Sequence, residues 1–93
     1  MRITAELSLY PMGGQPIERI LEFIGEFPSD DRLELSVNQM STQIRGDAAD
    51  VFERVQAALL RAFASGDPQV LVAKFLNSDL PINEAPDLGP GSR

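Results

Sequence analysis

The chain has 93 residues and a net charge of −6, with no cysteine and no histidine. That leaves no disulfide framework, no thiolate chemistry, and neither the commonest general base nor the commonest transition-metal ligand. The acidic balance argues against a phosphate-backbone partner. No apolar run reaches the length of a membrane span and nothing reads as a signal peptide, so the expected setting is the cytoplasm, with no membrane and no nucleic acid as partner.

Ile3, Ala5, Leu7 and Leu9 alternate with Thr4, Glu6, Ser8 and Tyr10, the period-two pattern of a strand with one face in a core. The other face is unusual, because it sets a carboxylate, two hydroxyls and the only tyrosine in one row. Pro11 has no N–H to give to a ladder and is expected to end the pairing. Met12-Gly13-Gly14 then turns, and Pro16 suits a first helical position. Ile17, Ile20, Leu21 and Ile24 recur at helical spacing, so they are expected to form the core-facing stripe of a helix that stops at Pro28. Asp30 and Asp31 fall in the next loop. As a pair they lack the further oxygen ligands at set spacing that a hard cation needs.

Leu33, Leu35 and Val37 mark a second strand. Asn38-Gln39 reads as a hairpin turn, and Met40, Thr42 and Ile44 as the inward row of a third strand, broken by Gly46. Asp47 is placed to cap a second helix, with Asp50 three residues on. Val51, Phe52, Val55, Leu59, Ala62 and Phe63 give that helix a broad apolar face. Ser65-Gly66-Asp67-Pro68 stops it, and Val70 to Leu76 is a fourth strand.

The order β-α-β-β-α-β predicts an α+β fold: a ferredoxin-like sandwich with an antiparallel four-stranded sheet and two helices on one face. The domain is expected over residues 1–76. Residues 77–93, rich in proline and glycine, are read as a tail that is either disordered or draped over the body, with truncation after Asp79 expected to leave the melting temperature nearly unchanged. A domain of this size buries only roughly 60% of its unfolded surface, and the apolar run Val70 to Leu76 offers an edge. A homodimer or higher homo-oligomer is therefore expected.

On the sheet face away from the helices, Thr4, Glu6, Ser8 and Tyr10 should lie beside Ser41, Gln43 and Arg45. Two readings fit this pattern. One is a solvated or subunit-pairing face with Glu6 and Arg45 as a cross-strand ion pair. The other is a small-ligand site of convergent hydroxyls, an amide, a carboxylate and a ring. Gly13-Gly14 lacks the longer glycine pattern and lysine of a phosphate loop. No Ser-His-Asp, Cys-His or paired-acid arrangement is present for nucleophilic or glycosidic chemistry. No catalytic residue, no metal site and no cofactor is expected.

The runs A-E-L-S-L-Y-P-M at residues 5–12 and N-Q-M-S-T-Q-I-R-G-D at residues 38–47, followed by Val51-Phe52, resemble the YkoF-like family of thiamine- and hydroxymethylpyrimidine-binding proteins and their single-domain DUF77 relatives. The resemblance implies a ferredoxin-like fold, pairing of two such domains, and binding of thiamine or its pyrimidine precursor without catalysis. Ser8, Tyr10, Pro11 and Met12 match its first motif, and Ser41, Thr42, Arg45 and Gly46 its second. The sequence departs from it at Gln39. The ligand-binding residues expected on this basis are Glu6, Ser8, Tyr10, Met12, Ser41, Gln43 and Arg45. Ser8, Ser41 and Gln43 would read a pyrimidine edge, Tyr10 and Phe75 would offer ring faces, and Glu6 or Asp47 would favour a positive ring. The alternative is an interaction or regulatory module whose sheet face only pairs subunits.

Overall fold

The computed structural model describes residues 1–27, 30 and 32–90. The elements are β1 (Arg2–Pro11), α1 (Pro16–Gly25), β2 (Leu33–Val37), β3 (Thr42–Asp47), α2 (Ala48–Phe63) and β4 (Gln69–Leu76). The strands form one antiparallel sheet in the order β2-β3-β1-β4. This is the ferredoxin-like arrangement that the element order predicts, with β1 and β3 central.

The core lies where the alternation places it. Ile3, Ala5, Leu7 and Leu9 of β1 meet Leu33 of β2, Ile44 of β3 and Val51, Val55 and Ala58 of α2. Leu7, Ile44 and Val51 are fully buried, each contributing roughly 1.5–3 kcal/mol of burial.

Helix α1 turns a different stripe inward from the expected one. Ile17 and Leu21 are 74% and 62% exposed, whereas Phe23 and Phe27 are buried. Their rings meet edge to face, with centroids 5.2 Å apart. Ile20, Phe23, Ile24 and Phe27 also recur at helical spacing. That register wins because two phenyl rings bury far more apolar area than Ile17 and Leu21 would.

The β2–β3 connection is wider than a two-residue turn. Val37 pairs with Thr42, so Asn38 to Ser41 form the loop and Met40 is 85% exposed rather than inward. The Asn38 Oδ1 accepts from the N–H groups of Met40 and Ser41 at 2.8 and 3.0 Å. Asparagine thereby gives the chain a local alternative to the ladder. Gly46 does not break β3. It is buried inside it, paired with Ile3 and Leu33, and an added Cβ would lie 2.6 Å from the Arg32 carbonyl oxygen. Asp47 occupies the N-cap position of α2, but its side chain makes no capping bond. Its carboxylate instead meets the N-terminal ammonium at 3.3 Å.

The sheet face opposite the helices is not bare. After β4 the chain crosses it transversely. The buried Thr4 hydroxyl donates to the Ser78 carbonyl at 2.7 Å and accepts from the Leu80 N–H at 3.0 Å. Arg45 donates to the Leu80 carbonyl at 2.6 Å, and Asn83 reaches Glu34 and the Leu35 carbonyl on β2.

Candidate functional site

β1 outruns β3. Their pairing stops at Leu7 with Thr42, while β1 continues beside β4 to Pro11 with Gln69. Over Ser8–Pro11 the strand therefore has β4 on one side and no strand on the other. The loop Asn38–Ser41 and the flank of α1 close around that open edge. The result is a groove of about 290 Å3, lined by Ser8, Tyr10, Pro11, Asn38, Gln39, Met40 and Ser41, with Ile20, Phe23 and Ile24 as its apolar wall. An apolar wall with a few polar groups is the usual make-up of a small-molecule site.

The polar groups here are oriented. Ser41 Oγ donates to Glu6 Oε2 at 2.9 Å, so the hydroxyl presents lone pairs, not its proton, to a guest. This hydrogen bond is the main reason that the Glu6 carboxyl is held below its ordinary range. Lys74, 3.4 Å away, lowers it further. Glu6 is thus ionised behind Ser41 and places negative potential beside the groove. The Ser8 hydroxyl has no protein partner among the described residues, and the Tyr10 ring is 55% exposed.

Of the residues expected to bind ligand, the fold brings Ser8, Tyr10 and Ser41 to this groove. Glu6 and Gln43 line a different cavity of about 300 Å3, roofed by Leu80 and Ile82. Arg45 is engaged elsewhere, with Glu34 at 3.1 Å and Asp79 at 3.8 Å, so it pairs with these acids and not with Glu6. Met12 is exposed and its N–H donates to the Pro68 carbonyl. Phe75 does not join Tyr10. It pairs with Ala5 on the helix side and stacks on Phe52, with centroids 4.9 Å apart. Asp47 is held by the N-terminus.

Ile20, Ile24, Asn38, Gln39 and Met40 are site residues that the sequence reading did not single out. Asn38 carried a signal, since an asparagine before a strand commonly bonds to its own backbone. Asp30 takes the N–H groups of Arg32 and Leu33 and pairs with Arg54. Those backbone bonds, Arg32 first, lower its pKa. Asp31 lies outside the described residues. Among the described residues no three His, Cys, Asp or Glu side chains are grouped to hold a metal, and no helix is long and apolar enough to cross a membrane.

Among solved structures, a Streptococcus pneumoniae protein is similar in fold, with a TM-score of 0.76 at 17% identity over 86% of this chain and 90% of its own. A Thermotoga maritima protein, provisionally described as a thiamine biosynthesis/salvage protein, gives 0.75 at 16% identity over 89% and 92%. A Bacillus cereus domain of unknown function, DUF77, gives 0.71 at 15% identity over 89% and 85%. Among curated proteins none matches the chain. The model of the YkoF-related family matches residues 2–78, and the chain belongs to that family.

Proposed function

We propose that the protein binds thiamine or its hydroxymethylpyrimidine precursor in the groove at the end of β1, without catalysis and without a resident cofactor or metal. The observation that carries the proposal is convergence. Ser8, Tyr10 and Pro11 from one motif and Asn38 to Thr42 from the other line a single opening, although they lie about 30 residues apart in sequence. The thiamine-related description of the T. maritima structure supports the same ligand class.

The chemistry of the groove suits an aminopyrimidine. Its exocyclic amine is a donor, and Ser41, whose proton is committed to Glu6, offers an acceptor. The ring nitrogen beside that amine is an acceptor, and the Ser8 hydroxyl can rotate to donate to it. Tyr10 supplies a ring face and Ile20 and Ile24 an apolar wall. The ionised Glu6 favours the positive thiazolium of thiamine only by the part of its charge that Lys74, 3.4 Å away, leaves uncompensated. Arg45 does not oppose it, because Glu34 and Asp79 compensate its charge.

The protein acts as a homodimer in this proposal, and β4 is the surface that supports it. A thermal-shift screen against thiamine, hydroxymethylpyrimidine and thiamine phosphates tests the ligand class. A ligand that binds only the folded state raises the melting temperature, by about 2.7 kcal/mol of added stability at a hundredfold excess over Kd. No shift with any of them at millimolar concentration overturns the ligand and leaves the subunit-pairing function.

A further inference from the structure

Glu6 stands between the groove and the cavity under Leu80 and Ile82. It pairs in register with Gln43 of β3 on one side and with Lys74 of β4 on the other, and directly opposed residues of an antiparallel pair present their side chains to one face. Its two carboxylate oxygens are divided between two neighbours. Oε2 accepts from Ser41 Oγ at 2.9 Å, at the wall of the groove. Oε1 lies 3.4 Å from Lys74 Nζ, and Lys74 lines the other cavity and not the groove.

Lys74 is the one charge on an otherwise neutral edge strand, and among the described residues it is the one ion-pair partner of Glu6. An edge lysine commonly blunts unwanted strand pairing, but that role needs no carboxylate opposite it. Here one stands opposite. The Lys74 side chain is 77% exposed, so water screens it and it weakens the field of Glu6 without cancelling it. The nearby arginines do not enter this balance, because Arg45 is held by Glu34 and Asp79, and Arg19 by Asp67 and Glu22.

We infer that Lys74 sets the charge preference of the groove: by partly compensating Glu6 it lowers the advantage of a cationic guest over a neutral one, so that the groove takes both. The inference rests on the pyrimidine-binding reading above and names the residue that decides between its two ligands. Lys74 acts through Glu6, from outside the groove wall. A neutral pyrimidine is held by the hydroxyls of Ser8 and Ser41 and is indifferent to the balance of charge behind them. A thiazolium is not, because its free energy in the groove follows the net field of the Glu6–Lys74 pair.

Isothermal titration of thiamine and hydroxymethylpyrimidine, at low salt and at mildly alkaline pH where the aminopyrimidine is neutral, is the test. Lys74→Gln is expected to bind thiamine about three- to tenfold more tightly, the size of an interaction between unit charges roughly 8 Å apart at a partly solvated surface. Its affinity for hydroxymethylpyrimidine should stay at the wild-type value. The gain should fade at about 1 M salt, where the screening length is about 3 Å. Glu6→Gln should lower the ratio of thiamine to hydroxymethylpyrimidine affinity, and adding Lys74→Gln to it should change that ratio no further. Arg61→Gln makes the same change in net charge on the helix layer, where Arg61 pairs with Glu26, and should leave the ratio as in the wild type. A ratio unchanged in Lys74→Gln, changed equally in Arg61→Gln, or changed as much by Lys74→Gln without the Glu6 carboxylate would overturn the inference and leave pyrimidine binding in place. A wild type that binds neither compound would overturn the reading on which the inference rests, and the inference with it.

Discussion

Ser41 has two roles, since it faces the groove and it holds Glu6 in its ionised form. Ser41→Ala should therefore raise the Glu6 pKa towards its ordinary value of 4.5, which a carboxyl-carbon NMR titration reads directly. The sign for stability follows from the depressed pKa. The contribution of Glu6 is complete above pH about 4.5 and is lost as the pH falls through the lowered value. The variant should lose less stability than wild type over that acid range, and an unchanged Glu6 titration would contradict the geometry. Gly46 makes a separate test. A Cβ there meets the Arg32 carbonyl at 2.6 Å and Leu33 Cδ2 at 2.7 Å, so Gly46→Ala should cost about 1–3 kcal/mol in urea denaturation. The shared face of Ser8 and Tyr10 was legible from sequence because alternation fixes which face a strand residue takes, whereas Ser41, in the loop before β3, was legible only through the second motif. The partners of Thr4, and the Leu80 and Asp79 partners of Arg45, were not, because they lie in the segment after β4, far away in the chain, and no local pattern encodes that contact.

The crossing segment Ser78–Asn83 gives the element scale its main test. It ties β1, β3 and β2 together through Thr4, Arg45 and Glu34, and Leu80 and Ile82 roof a cavity. Each net hydrogen bond contributes about 0.5–1.5 kcal/mol. Truncation after Asn77 should therefore lower the melting temperature by at least roughly 4–8 °C, the equivalent of about 1 kcal/mol in a domain of this size. Thr4→Val, which keeps the shape and deletes both bonds of the hydroxyl, should reproduce part of that loss in a calorimetric scan. A melting temperature unaffected by either change would show that the segment does not hold the sheet. The elements themselves were legible from apolar period and from Pro, Gly and Asn punctuation. Their phases were less so. Across α1 and the turn that ends it, Ile17-Ile20-Leu21-Ile24 and Ile20-Phe23-Ile24-Phe27 obey the same period, and only the burial of the two rings in the core decides between them.

At the scale of the whole molecule, the two edges of the sheet differ. β2 is short, and Asn83 bonds its Leu35 carbonyl. β4 is eight residues long, carries a single charge and leaves Val70, Val72, Phe75 and Leu76 each 44–46% exposed on its two faces. An edge of this kind pairs with another strand unless something covers it. Light scattering should give twice the 10.2 kDa chain mass. Val72→Lys, which puts a charge at the middle of the edge in both copies, should give the monomer. A monomeric wild type at micromolar concentration would contradict the pairing. The central claim concerns the groove, and isothermal titration of thiamine and hydroxymethylpyrimidine tests it most directly. The account predicts saturable binding by the wild type, weakened roughly tenfold or more in Ser8→Ala and Ser41→Ala, each of which strands a partner on the pyrimidine edge. Tyr10→Leu should also weaken binding, and Gln43→Leu, which alters the other cavity, should not. Equal affinity in Ser8→Ala, Ser41→Ala and the wild type, or no heat with either ligand, would contradict it.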